Sequence, residues 1–194
     1  PGAIRHQHIR FVREARAATP LRVECGVLEC SEGSLTVLSI MRHNATGAPL
    51  AGFRTTLDTC GWPTCWPGDS TVEAPDYAAP RGIDPATLPA PPDSLGAAQA
   101  MGFRIVGQGV IGADECDVQG TVLPHVYIGR VSDGMPNLWV FVNSDADRFA
   151  REEGALGGAA LEYHLEIHAP LIAGDIYTHL AVMRTITAKT QPIA

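Results

Sequence analysis

Alternating apolar and polar positions dominate the first third of the chain. Ile9 and Phe11, with Arg13 as a further position, alternate against polar neighbours over His8–Glu14, and Leu21, Val23, Cys25 and Val27 recur at period two over Leu21–Glu29. Over Ser34–Arg42, Leu35, Val37, Ser39 and Met41 face one way and Thr36, Leu38 and Ile40 the other; Leu50–Asp58 follows as a fourth strand. A period of two belongs to a strand with two distinct faces. Glu32-Gly33 and Asn44-Ala45-Thr46-Gly47 carry turn chemistry, so residues 8–59 predict a four-stranded antiparallel meander. Such a sheet needs a cover on its apolar face. No helix lies among these strands, so the cover is expected from elsewhere in the chain.

Residues 60–101 break the pattern. Pro63, Pro67, Pro75, Pro80, Pro85, Pro89, Pro91 and Pro92 exclude helix interiors and ladder positions. This linker is expected to wrap over a surface in extended form, with Trp62 and Trp66 pinning its start and a short helical turn at Ser94–Met101 capped by Asp93 or Ser94. Strand pattern returns at Phe103–Gly112, followed by a loop over Ala113–Gly120. Residues from about 122 to 142 predict an apolar helix that offers Val126, Ile128, Val131, Leu138 and Trp139 to a sheet. Gly134 and Pro136 predict a kink or break near its middle. A surface helix over Asp145–Glu153 and strands over Leu161–His168 and Ile176–Ile186 complete the reading. The expected division is 1–59, a linker at 60–101, and 102–194.

One stretch occurs twice. His8–Val23 and His164–His179 each read as a strand, a turn of small residues and a second strand, with Ala17 falling on Ala173 at an offset of 156. A repeat of this length implies two copies of one small domain. The first copy lies near the start and the second near the end, so the chain is expected to be a fragment of two equal units. Its halves would then complement each other as one permuted domain, at the cost of exposed strand edges.

Composition narrows the function classes. The 45% hydrophobic and 18% charged content suits a globular protein with a substantial core. A formal net charge of −7 without a Lys/Arg run argues against nucleic acid. Arg5, Arg10, Arg13 and Arg16 form a loose basic cluster, read as a solvated strand edge or rim. No apolar stretch approaches the roughly 20 residues of a transmembrane helix. Five cysteines without zinc or disulfide spacing read as reduced thiols and a cytosolic setting. No metal or cofactor is implied. His164 and His168, four apart on one strand face, and His179 read as strand surface; a metal would need further partners there.

The candidate chemistry lies in Glu115-Cys116-Asp117-Val118-Gln119-Gly120-Thr121, between a strand and the apolar helix. Free N–H groups at a helix start can polarise a carbonyl oxygen. A nearby carboxylate can attack the carbonyl carbon or activate water. Gly120 lets a substrate approach the backbone. An Asp that merely caps the turn gives the same Asp-x-x-Gly spacing.

The order strand, Asp-x-x-Gly loop, long apolar helix and antiparallel meander resembles the hotdog fold, an α+β architecture with an antiparallel sheet wrapped around a long helix. Gly109-Val110, Glu115–Gly120 and Tyr127 resemble the opening motif of acyl-CoA thioesterases of the 4-hydroxybenzoyl-CoA thioesterase group. His8–Ala15 with Pro20–Val23 is similar to the strand after the helix in that group, especially in thioesterase domains found with carnitine dehydrogenases, and Ala173-Gly174-Asp175 matches a turn between strands. The resemblance implies two hotdog units, an acyl-CoA substrate, Asp117 as nucleophile or general base, and N–H groups near Gly120 and Thr121 that hold the thioester oxygen. It also implies a homo-oligomer through sheet edges. Many relatives carry His after this Gly and Asn two residues later; here Thr121 and Leu123 stand there. Gln119, His125 and Tyr127 are the residues available to contact substrate in their place. Ser132 and Asp133 read as the helix's polar face or a subunit contact. The alternative is a non-catalytic module that binds acyl-CoA, which Thr121 favours. A hotdog dehydratase or hydratase ranks last, because its Asp/His pairing is not found.

Overall fold

The computed structural model describes residues 3–60, 71–82, 90–142 and 160–184. Trp62, Trp66, Cys65 and the helix expected at Asp145–Glu153 lie outside them. The elements are β1 (Ile4–Phe11), β2 (Leu21–Ser31), β3 (Ser34–His43), β4 (Pro49–Asp58), α1 (Leu95–Ala100), β5 (Arg104–Val110), α2 (Pro124–Val142), β6 (Glu162–Glu166) and β7 (Ile176–Ala181). The chain divides into two compact units, 1–88 with 158–169 and 89–157 with 170–194.

The first unit is an antiparallel sheet in the order β2-β3-β4-β1-β6. The meander expected from the alternation is present. Its far edge departs from the expected division, because β6 leaves residues 102–194 and pairs with β1. The alternation of β6 is compatible with either sheet, so periodicity does not choose its partner. The β1–β6 register sets His8 opposite His164, Gln7 opposite Leu165 and Ile9 opposite Tyr163. His8 and His164 are equivalent positions of the repeat, so the two repeated strands pair about a local two-fold axis between them.

The turns after these strands match as well. Thr19 N–H donates to Arg16 O at 3.1 Å, and Asp175 N–H donates to Ile172 O at 3.1 Å. Ala18 and Gly174 both have positive φ, 63° and 91°. All three positions correspond at the offset of 156 residues, so the repeat, weak in letters, is kept in backbone geometry.

The cover on one face of this sheet comes from the proline-rich segment, a source the sequence left open. Residues 71–82 run across the face that carries Leu38 and Ile40, where Ala78 is fully buried with Ala74 and Tyr77 beside it. Val72 N–H donates to Val27 O at 2.8 Å. Two glycines admit the strap: a Cβ on Gly26 would stand 2.7 Å from both Val72 methyls, and one on Gly52 would stand 2.6 Å from Ala78 Cβ. The Arg10 guanidinium donates to Asp76 O and Ala79 O at 2.9 and 2.8 Å, and Arg42 Nη2 donates to Tyr77 OH at 3.0 Å. Arg10 is therefore an anchor of the strap rather than a rim charge. Arg5 pairs with Asp58, while Arg13 and Arg16 are exposed.

In the second unit β5 and β7 form an antiparallel pair, and α2 packs on both. Ser94 caps α1 by accepting from Ala97 N–H at 3.2 Å. Helix α2 runs from Pro124 to Val142 with Pro136 inside it, rather than breaking near its middle. Pro at the first helical position suits a terminus whose N–H lacks a partner anyway. Gly134 serves close approach: a Cβ there would stand 2.6 Å from His179 Cε1 and 2.9 Å from Val106 Cγ2. Asn137 Nδ2 donates to Val106 O at 2.7 Å, and Leu138 is buried with Val106 and Ala181. No helix among the described residues is long and apolar enough to cross a membrane.

Candidate functional site

The Asp117–Thr121 loop is a closed turn ahead of α2. Asp117 Oδ1 accepts from Gln119 N–H at 2.9 Å and from Thr121 N–H at 3.0 Å. Gly120 N–H donates to Asp117 O at 3.0 Å, and Asp117 N–H donates to Thr121 O at 2.8 Å. Gly120 has φ +80°, which a glycine adopts without steric cost, and a Cβ there would meet nothing within 4 Å. Asp117 is exposed; among the described residues its Oδ2 takes no hydrogen bond. One carboxylate oxygen is thus fixed by backbone while the other is presented to solvent.

The N–H groups expected to hold a thioester oxygen are engaged in this loop, Gly120's by Asp117 O and Thr121's by Asp117 Oδ1. The helix begins at Pro124, later than Thr121, and Pro124 has no N–H. Val126 N–H donates to Leu123 O at 3.0 Å. These contacts reduce the donor capacity of the helix start.

Of the other sequence candidates, Gln119 is exposed and contributes its backbone N–H to the turn. His125 is exposed in the first turn of α2. Tyr127 is half-buried beside Ile111, Val122 and Val126, and its hydroxyl accepts from Leu171 N–H at 3.2 Å. Tyr127 therefore ties α2 to the segment before the repeated turn, and Thr121 bridges to Ile172 in that same segment.

A brace that sequence reasoning missed supports the loop. Glu115 accepts from Arg130 Nη2 through one oxygen and from Gly112 N–H at 3.0 Å through the other. The Arg130 guanidinium lies 5.1 Å from the Tyr177 ring centroid, a cation–π distance. Arg130 is the sole Lys or Arg between Pro124 and Val142, and a lone cation on an apolar helix is the signal that could have found it. Cys116, next to Asp117, is no ready nucleophile. Burial and then the Asp117, Glu115, Asp114 and Asp175 carboxylates push its thiol up, which keeps it protonated.

A second constellation lies in the first unit. His8 Nε2 meets Glu162 Oε1 at 2.7 Å, both side chains nearly buried. Glu162 also accepts from the N–H groups of Arg81 at 2.9 Å and Gly82 at 3.0 Å, at the end of the strap. Burial alone would raise the Glu162 carboxyl; the Arg81 N–H, His8 and the Gly82 N–H outweigh it and hold it below its ordinary value. His8 Nδ1 is buried without a partner among the described residues.

No family profile matches the chain, and no curated protein does. Solved structures do. The 12:0-ACP thioesterase from Umbellularia californica aligns at TM-score 0.55 and 13% identity, over 97% of this chain and 63% of that one. An acyl-ACP thioesterase from Bacteroides thetaiotaomicron aligns at TM-score 0.54 and 12% identity, over 95% of this chain and 66% of its own. The chain therefore spans just under two thirds of the length of these proteins. At such identities the likeness is one of architecture, and the chain has the fold of hotdog thioesterases.

Proposed function

We propose that this protein hydrolyses an acyl thioester, releasing a carboxylic acid and the carrier thiol, with acyl-CoA as the substrate class. The observation that carries the reading is the exposed Asp117 carboxylate, pinned through Oδ1 by two N–H groups with Oδ2 presented to solvent, on a fold shared with acyl-ACP thioesterases. Asp117 Oδ2 acts as nucleophile on the thioester carbon or as general base toward water. Gly120 leaves open space for the acyl group beside the backbone. Holding the thioester oxygen requires Thr121 or Gly120 N–H to leave its present acceptor as substrate binds. Gln119, His125 and Tyr127 are the residues assigned to substrate contact in this reading.

The matching turns at Ala18 and Gly174 and the two-fold register at His8 and His164 support two hotdog units within the chain. Assembly of copies through sheet edges, and a reducing cytosolic setting for the free thiols Cys25, Cys30, Cys60 and Cys116, belong to the same reading. The engaged N–H groups favour a second reading, a module that binds acyl-CoA without turnover.

The test follows free thiol release from short-, medium- and aryl-acyl-CoA esters. Hydrolysis that falls at least about 100-fold in Asp117→Asn, the scale of a general base, supports the enzyme. Binding of CoA esters without hydrolysis by the folded protein replaces it with the second reading.

A further inference from the structure

The face of the β1–β6 pair that carries His8 continues toward the chain start with a different chemistry. His6 lies opposite Glu166, and His164 stands two residues from Glu166 on the same strand and the same face. In an antiparallel pair, opposite side chains share a face with Cβ atoms about 4.5–5.5 Å apart. One nitrogen of His6, one of His164 and one carboxylate oxygen of Glu166 all lie within 4.8 Å of one another. His164 Nε2 is 3.3 Å from Glu166 Oε1, and the His6 and His164 rings have centroids 6.2 Å apart. His168, past the end of β6 rather than on it, sets Nε2 3.6 Å from Glu166 Oε2. From the middle of the ladder to its other end, His8 is buried and the strap holds Glu162, whereas His6 and Glu166 are exposed and open to an ion from solvent.

We propose that His6, His164 and Glu166 form a divalent transition-metal site that clasps β1 to β6. Ligands about 2.1 Å from one ion stand roughly 3.0–3.5 Å apart. The His164–Glu166 pair already meets that spacing, and the exposed His6 and Glu166 side chains close the remainder by rotation. Two imidazoles and a carboxylate select Zn²⁺ and its neighbours Ni²⁺ and Cu²⁺ over Mg²⁺ or Ca²⁺, which prefer all-oxygen shells. Three protein ligands leave a coordination position for water or for a fourth ligand, with His168 in reach. Sequence spacing did not reveal the site, because its third member comes from a strand more than 150 residues away in the chain.

The experiment titrates metal-free protein with Zn²⁺ by calorimetry and with Co²⁺ by absorption, alongside His6→Gln, His164→Gln and Glu166→Gln. The expected result is one ion per chain, Co²⁺ bands without thiolate charge transfer, and binding weakened at least tenfold by each substitution. Loss of even an outer partner of a metal ligand costs about 10–100-fold. Zn²⁺ should also raise the melting temperature of the parent protein and not of His6→Gln, because a ligand of the native state stabilises by mass action. Circular dichroism confirms that each variant is folded. Absence of stoichiometric binding, binding by the three variants as tight as the parent's, or a thiolate band that assigns the ion to cysteine overturns the proposal.

Discussion

Gly52 of β4 is the position where the strap presses hardest on the sheet. Adding one methyl group sets a Cβ 2.6 Å from Ala78 Cβ, 3.2 Å from Ala78 Cα and 3.5 Å from Ile40 Cδ1. The first distance is shorter than carbon atoms tolerate, and its partner is the short side chain of a fully buried residue that has no rotamer to change. The strap must move, and it is held by Arg10 on two carbonyls, by Arg42 on Tyr77 and by Glu162 on Arg81 and Gly82. Overpacking of this kind costs about 1–3 kcal/mol. Ala78→Gly removes one buried methyl at about 0.8 kcal/mol, plus the added freedom of glycine in the unfolded chain. The double variant should recover part of the Gly52→Ala loss, since the Cβ–Cβ clash vanishes while the 3.2 Å approach to Cα persists. A coupling of at least about 1 kcal/mol is expected for two residues in contact. Denaturant unfolding, with hydrogen exchange of β3 and β4 amides to localise the effect, measures all four proteins. Gly52→Ala within about 0.5 kcal/mol of the parent, the usual range of a featureless surface site, or strict additivity with Ala78→Gly, would refute the strap packing.

Further outcomes follow from other contacts. Ala18→Gly should leave stability unchanged or raise it by up to about 1 kcal/mol, because the left-handed conformation costs an L-residue about 1–2 kcal/mol that glycine avoids; Ala18→Val should lower it, and thermal melts compare the two. Asp117→Ala leaves the N–H groups of Gln119 and Thr121 without their acceptor and should cost about 1 kcal/mol, whereas Asp117→Asn keeps an acceptor oxygen and should cost less in the same melts. The Glu162 carboxyl is held below its unfolded value, so its contribution is full above that value and is lost as pH falls through the lower folded one. Glu162→Gln should therefore flatten the acid limb of melting temperature against pH, and an unchanged limb would reject the buried pair with His8. Asp58, lowered to about 2 by Arg5 first and then by the Cys60 hydrogen bonds, adds a second loss below pH 3.8, which Arg5→Gln should reduce.

Much of the first unit was legible because its strands are amphipathic. The alternation through Leu35, Val37, Leu38 and Ile40 marks strand and face together, and Ser94 announces a helix start by its side-chain chemistry. The partner of β1 was not legible. Tyr163 and Leu165 against Glu162, His164 and Glu166 give an alternation that fits either sheet, and the choice depends on pairing across a long separation. Gly134 and Pro136 read locally as a kink or break, while His179 and Val106 need Gly134 bare for the helix to come close. At the candidate site the Asp-x-x-Gly motif located the loop. Its internal hydrogen bonds, which decide what Thr121 and Gly120 N–H can offer, are a property of folded backbone.

The pairing of β1 with β6 also orders events during synthesis. β1 gains β4 as a neighbour once residue 58 has left the ribosome, but the opposite edge of β1 waits for residue 162. At about 5–20 residues per second, that edge stays unpaired for several seconds or longer. During that time it offers a row of backbone donors and acceptors to any other nascent strand. His6 and Arg10 on β1 place polar and charged side chains beside that open edge, a means of discouraging wrong partners until β6 arrives.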